Sequence, residues 1–278
     1  MFTLHNGDCL QVMPTIPSGS IDAIITDLPY GTTACKWDTI IPFEPMWKEV
    51  KRVLKPNGAF ITTASQPFTS ALIMSNPKVF RYEWIWEKDR ASGYLDANRK
   101  PLKSHENICV FYWKLPVYNP QKTSGHKPAN KNGKNGKPSP VYHKHETFIK
   151  GGSTERFPRS VQVFFTANSA HKIYHSSQKP VALYEYLIRT YTNEGETVLD
   201  IAMGSGTTIE AAERTGRNSI GIEKDEGIFQ TAVLRLNSLT PSNNRLHLTG
   251  GTVPAQRDLF TPEDLPSEGK LPAPTPRR

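Results

Sequence analysis

Thr197-Val-Leu-Asp200-Ile-Ala-Met-Gly204-Ser-Gly206-Thr-Thr208 runs from an apolar strand through a two-glycine bend into the start of a helix. Glycine at such a bend lets the backbone approach a ligand closely, and the helix start offers N–H groups without intrahelical partners. A dinucleotide fingerprint would need a third glycine where Ile209 stands, which argues against NAD and its pyrophosphate. Glu223, about 20 residues further on and at the end of the next strand, is placed to accept both hydroxyls of a ribose. A nucleoside cofactor without a pyrophosphate fits both features, while a bend needed only for packing would read the same in isolation.

Around that bend the chain alternates strand and helix, the pattern of an α/β fold with a mostly parallel sheet and helices on both faces. Ile21–Thr26 (IDAIIT) reads as a short buried strand. Phe43, Trp47, Val50 and Leu54 recur at helical spacing and predict a helix over 43–54, which Lys55-Pro56-Asn57-Gly58 should stop. A strand at Ala59–Ala64, a helix near Pro67–Asn76 and strands at Tyr82–Glu87 and Ile108–Trp113 follow. Further on, Pro180 opens a helix over Val181–Thr192, Thr197–Ala202 is a strand, Thr207–Thr215 a helix closed by Gly216, and Ser219–Ile222 a strand. Asp225 should cap a last helix with the apolar stripe Ile228, Ala232, Leu236 and Leu239.

At 278 residues the chain is long enough for one large α/β domain and short for two. We expect one domain over 1–239, divided into a catalytic block 1–113, a basic insertion 114–170 and a cofactor block 171–239. From Thr240 the chain holds seven of its 23 prolines and shows no periodicity, so 240–278 reads as a disordered tail. A hydrophobic content of 37% with 22% charged residues suits a soluble globular protein. No apolar run is long enough to span a bilayer, and Met1–Asp8 lacks the layout of a secretory signal, so cytoplasmic residence is expected. Cys9, Cys35 and Cys109 are odd in number and widely spaced, which suggests neither a disulfide framework nor a zinc site. His143 and His145 read as exposed loop histidines rather than a metal pair, so no metal is expected.

The formal charge of +8 is localised, because 114–150 holds eight lysines and one acidic residue, Glu146. A cationic stretch with Gly, Asn and Pro cannot bury a core of its own, yet it can lie along a polyanion and release counterions. A solvated loop with no partner is the other reading. Lys122, Lys127, Lys131, Lys134 and Lys137 are the candidate contacts to such a polyanion.

Asp27-Leu28-Pro29-Tyr30-Gly31 follows directly on the first strand and so belongs at its carboxyl end, where open α/β sheets bind ligands. An exocyclic amine on an aromatic base is a poor nucleophile because its lone pair is delocalised into the ring. A carboxylate and a carbonyl accepting its two N–H bonds favour a pyramidal nitrogen and stabilise the positive charge that develops on it. An aromatic side chain can stack on a base that has left the duplex. Asp27, the Leu28 carbonyl and the Tyr30 ring supply these three parts, and Pro29 stiffens the turn. A structural turn with an incidental Asp and Tyr would carry the same letters.

The chain resembles the amino-methylating DNA methyltransferases, whose hallmark is Asp/Asn/Ser-Pro-Pro-Tyr/Phe/Trp together with a glycine-rich cofactor bend. Asp27-Leu-Pro-Tyr30 matches three of those four positions. Leu28 replaces the first proline, and since the acceptor there is a main-chain carbonyl, the chemistry survives if the turn keeps its shape. The order of catalytic motif, target-recognition region and cofactor motif is that of the β class. The resemblance implies a single Rossmann-like methyltransferase domain, S-adenosylmethionine as cofactor and double-stranded DNA as substrate, in an enzyme that is bacterial or phage-encoded. It assigns Asp8 in Asn6-Gly-Asp8 to the cofactor adenine, Glu223 to the ribose, and Asp200, Gly204, Ser205, Gly206 and Thr207 to the cofactor bend. Lys179 in Gln178-Lys-Pro180 falls near the methionine moiety, and Lys103-Ser-His-Glu106 also matches a family segment. Asp at the head of the motif favours adenine N6 over cytosine N4. No cysteine follows a proline, which excludes cytosine C5 chemistry. A homodimer and a cognate restriction endonuclease are left open as partners.

Overall fold

The computed structural model describes residues 1–33, 35, 38–128, 133–134, 148–149, 151–167, 178–239 and 247–249. Its strands are β1 (Phe2–Asn6), β2 (Ile21–Asp27), β3 (Leu54–Ala64), β4 (Phe80–Ser92), β5 (Lys103–Phe111), β6 (Gly133–Lys134), β7 (Phe148–Ile149), β8 (Val161–Phe164), β9 (Thr197–Asp200), β10 (Asn218–Glu223) and β11 (His247–Thr249). The helices are α1 (Cys9–Val12), α2 (Phe43–Val53), α3 (Phe68–Ser75), α4 (Val181–Tyr191), α5 (Thr207–Arg214) and α6 (Glu226–Leu239). One sheet runs in the order β11-β1-β10-β9-β2-β3-β5-β4-β8. It is parallel from β11 to β3, β5 is antiparallel to both its neighbours, and β8 is parallel to β4.

Alternation along the central strands feeds two cores. Ile24, Phe60 and Leu199 point to one face, where they pack with Met46, Trp47 and Val50 of α2 and Leu72 of α3. Ala23, Ile25, Ile61 and Val198 point to the other, against Leu187, Ile188 and Tyr191 of α4 and Ala211 of α5. Burial on both faces explains why these strands read as continuous apolar runs. From β9 the chain crosses through α5 to β10, and from β2 it crosses through α2 to β3 on the other side. The gap between β9 and β2 is therefore a topological switch point, where such sheets bind ligands at their carboxyl ends.

Several expectations shift. Lys55–Gly58 does not form a turn between elements; the register jumps from Ile21–Leu54 to Ala23–Ala59, so the four residues bulge within β3, with Lys55 paired to Asp22 at 2.6 Å. Strand β4 runs on to Ser92 and β5 begins at Lys103, well past the apolar cores predicted for them. The buried face of α6 is Phe229, Ala232, Val233 and Leu236, so Ile228 turns toward the cleft described below. Within the basic insertion Thr123 bridges Arg156, and the insertion adds β8 to the main sheet beside β4. The segment expected as a structureless tail adds β11 beside β1. Lys131, Lys137, His143 and His145 lie outside the described residues, as does the rest of 240–278. Among the described residues, no helix is long and apolar enough to cross a membrane.

Candidate active site

The tip of β2 and the bend after β9 are side by side. Thr26 donates to Asp200 Oδ1 at 2.6 Å, and the Thr208 hydroxyl at the start of α5 donates to Asp200 Oδ2. The Ala202 N–H completes the set at 3.1 Å. Asp200 is thus a buried latch that fastens the catalytic strand to the cofactor bend, with its carboxylate committed inside the fold. Burial pushes its pKa up to about 6, against the hydroxyl and N–H donors that favour ionisation. Its proton is held more tightly in the folded than in the unfolded state. That contribution to stability is complete below the ordinary aspartate value of 3.8 and is lost as pH rises through about 6. Asp200→Asn keeps the acceptor oxygen and the shape. Denaturant titrations from roughly pH 4 to pH 7 should show the variant gaining on the wild type by about 1–3 kcal/mol; a constant difference would mean that the carboxyl titrates freely.

Two glycines of the bend have different tasks. Gly204 has φ +53°, and a Cβ there would project into open space. Its N–H donates to Glu223 Oε2 at 3.0 Å, and Asp225 N–H donates to Oε1 at 2.8 Å. Gly206, at φ +82°, lies against α6, where a Cβ would meet Leu236 at 3.1 Å. Ser205 and Thr207, expected at the cofactor, present their hydroxyls to buried Arg235 at 3.0 and 3.2 Å. Arg235 also grips Glu210 through two nitrogens, at 2.9 and 2.6 Å. A buried arginine inside an amphipathic helix has no signature in one sequence, and it engages the hydroxyls of both residues.

A cleft of about 980 Å³ opens over these strand ends. Asp8, Gly204, Glu223 and Ile228 line one end, and Asp27, Tyr30, Glu106 and Lys179 line the other. Asp8 caps α1 through Leu10 N–H at 2.9 Å and pairs with Lys224 at 3.0 Å. Burial raises the Glu223 pKa, although the N–H groups of Asp225 and Gly204 oppose this. Each Glu223 oxygen keeps a second lone pair for a ribose hydroxyl. A volume at the upper end for small-molecule sites, with an open glycine backbone and a carboxylate facing it, fits a nucleoside cofactor beside a second ring.

At the catalytic end the carboxylate of Asp27 is densely engaged. Oδ1 accepts from the hydroxyls of Thr63 and of Tyr30, the latter at 2.8 Å, and Oδ2 accepts from Lys179 Nζ at 2.6 Å. Glu106 accepts from Lys88 at 2.6 Å, lies 3.5 Å from Lys179, and is within 3.3 Å of the Tyr30 hydroxyl. Burial would lower the Lys179 pKa, but the two carboxylates outweigh it and hold it above the ordinary lysine value. Burial likewise raises Glu106, and Lys179 with Lys88 brings it below the usual carboxylate range. The Tyr30 ring stacks on Phe68 at 5.3 Å, with the Lys179 ammonium 5.6 Å from its centre.

The Leu28-Pro29 turn keeps its shape by other means than a second proline. Leu28 is buried in the core under β2, and Asp38 collects the N–H groups of Gly31, Thr32 and Thr33 at 2.8, 2.9 and 2.7 Å. Burial raises the Asp38 pKa, but the Thr33 hydroxyl and these N–H donors outweigh it, leaving the pKa below the usual carboxylate range. Of the expected DNA contacts, Lys122 pairs with Glu155 at 3.0 Å and lies over the Phe157 ring, while Lys127 is exposed and its carbonyl accepts from Arg156. Lys134 sits in the short ladder of β6 with β7.

An open, mostly parallel sheet that places a carboxylate turn and a glycine bend in one cleft at its switch point defines a Rossmann-like group-transfer enzyme. The chain belongs to the N6/N4 DNA methylase family, whose pattern it matches over residues 21–234. It is 25% identical over 304 aligned positions to the Type II methyltransferase M.HindIII of Haemophilus influenzae, covering 84% of this chain and 94% of that protein. The crystal structure of the M1.HpyAVI–SAM complex superposes with a TM-score of 0.56 at 23% identity, over 85% of this chain and all of that one. The cytosine-N4-specific PvuII DNA methyltransferase gives 0.62 at 17% identity, over 88% and 90% of the two chains. At these identities the superpositions speak for the fold.

Proposed function

We propose that this protein is a site-specific DNA methyltransferase that uses S-adenosylmethionine to methylate N6 of adenine in double-stranded DNA, as the modification half of a restriction–modification pair. The observation that carries this reading is the Asp27 carboxylate standing in the same cleft as the Gly204 bend, fastened there by the Thr26–Asp200 hydrogen bond. S-adenosylmethionine, when bound, supplies an electrophilic methyl on sulfonium sulfur. Asp8 takes the adenine end of that cofactor, Glu223 its ribose hydroxyls, and Gly204 lets the main chain lie close to it. Asp27 and the Leu28 carbonyl accept the two N–H bonds of the target amine and so direct its lone pair toward the methyl. Tyr30 stacks on the swung-out base, for which the Lys179 ammonium over its ring has to shift. The basic insertion, including Lys122 and Lys127, provides phosphate contacts that fix register.

Asp at the head of the motif supports adenine, while a family that spans N6 and N4 methylation keeps N4 as the second reading. Incubating the protein with labelled cofactor and mixed-sequence DNA, then digesting to nucleosides, separates the two. N6-methyldeoxyadenosine is expected. N4-methyldeoxycytidine would replace the first reading with the second, and DNA binding without incorporation would indicate a fold retained without turnover.

A further inference from the structure

Beyond Lys88 and Glu106, β4 and β5 leave the sheet's core and run on as a two-stranded ribbon beside the cleft, closed by the Ser92–Lys103 pair. Arg90, Ala91, Ser92 and Lys103 of this ribbon line the cleft itself. Its tip is built rather than loose. Gly93 turns with φ +87°, Tyr94–Asp96 forms a single 3-10 turn, and Arg99 and Lys100 N–H groups close onto the Asp96 carbonyl at 2.8 and 3.1 Å. Yet Tyr94 and Leu95, one aromatic and one aliphatic side chain, are 76% and 87% exposed there. Folding gains nothing from displaying them. Between Arg90 and Lys103 stand four cations and one carboxylate, Asp96, which is itself paired with Lys100 at 2.9 Å. An apolar tip on a cationic ribbon complements a nucleic-acid duplex, with phosphates for the cations and a base step for the tip.

We propose that Tyr94 and Leu95 enter the DNA duplex as a wedge beside the target nucleotide and fill the space it vacates when it swings into the cleft. The inference rests on the base-flipping reading above. Distance is compatible with it: the tip lies two or three residues past the cleft-lining Ser92, within about 10 Å of it at the chain's maximum span of about 3.3 Å per residue. A DNA groove is of similar depth, about 8 Å. Filling the gap offsets the cost of unstacking, and that cost is smallest when the target base has no pairing partner.

Once the methylated position has been located, a synthetic duplex containing it is offered in two forms, fully paired and with the target base facing an abasic site. The double variant Tyr94→Ala, Leu95→Ala removes only exposed side chains, and unchanged cofactor affinity verifies its fold. It should methylate the paired duplex about tenfold or more slowly than the wild type, and the abasic-opposed duplex within about threefold of it. Equal losses on both duplexes, or no loss on either, would overturn the wedge. So would a variant that changes only the association state of the protein, which would make the tip a contact between copies. A wild-type protein for which no methylated position can be located removes the functional reading and the wedge with it, whereas an active wild type with an indifferent variant removes the wedge alone.

Discussion

Asp27→Ala should slow methyl transfer by about a hundredfold or more, with S-adenosylmethionine binding within about threefold of wild type. The carboxylate sits at the end of β2 with its own donors, Thr63, Tyr30 and Lys179, so it is oriented before any substrate arrives. Two effects add when it is removed. The target amine loses an acceptor that strengthens as its nitrogen becomes positive, and the Lys179 ammonium loses the nearer of its two counter-charges. A positive charge developing on nitrogen then faces a cation that is no longer balanced. Asp27→Asn keeps an acceptor oxygen without the charge and should fall between alanine and wild type. Single-turnover rates at saturating cofactor would measure all three proteins. An alanine variant within a few-fold of wild type would take Asp27 out of the chemistry, and an asparagine variant as slow as alanine would make the negative charge, not the acceptor geometry, the quantity that matters.

The two ends of the cleft were legible in the sequence to different depths. Asp27–Gly31 and Asp200–Thr208 each follow an apolar run, and a strand buried on both faces leaves such a run whatever surrounds it. Their adjacency follows from the parallel β2–β9 pairing, a neighbour order that the alternation of strands and helices does not fix by itself. What could not be read is where charged side chains find partners. Lys179 meets Asp27 across 152 positions, and Glu106 joins them from a strand whose outer half is polar because it overhangs the cleft. Periodicity stops reporting a strand once neither face is in the core, which is why β4 and β5 were drawn too short. Strand β11 is three residues long, too short for alternation to show, and β1 (FTLHN) alternates over five residues but with only two apolar positions. Asp200 shows the other limit. A carboxylate beside a glycine bend reads as a ligand contact, but Thr26 and Thr208 turn it inward.

Lys179→Met tests whether that ammonium serves the catalytic carboxylate. Its Nζ bridges Asp27 and Glu106 at 2.6 and 3.5 Å, and both carboxylates also reach the Tyr30 hydroxyl. Without the cation, two negative groups face each other across one hydroxyl in a mostly buried site. Glu106, which Lys179 and then Lys88 hold below the usual carboxylate range against burial, therefore takes up its proton at higher pH once Lys179 is gone. A neutral Glu106 can donate to the Tyr30 hydroxyl and disturb the network that orients Asp27, so the acid limb of the rate profile should move upward. The loss should be about tenfold or more near pH 6 and narrow to about threefold near pH 9, since each unit of displacement is worth tenfold below the limb. Lys179→Arg retains the charge and should keep the limb near its wild-type position. A methionine variant slowed equally at every pH, with cofactor affinity lost in parallel, would instead place Lys179 in cofactor binding, where the Gln-Lys-Pro resemblance first put it. A variant with unaltered rates would mean that Lys88, on the far side of Glu106 at 2.6 Å, is enough to keep the cluster ionised.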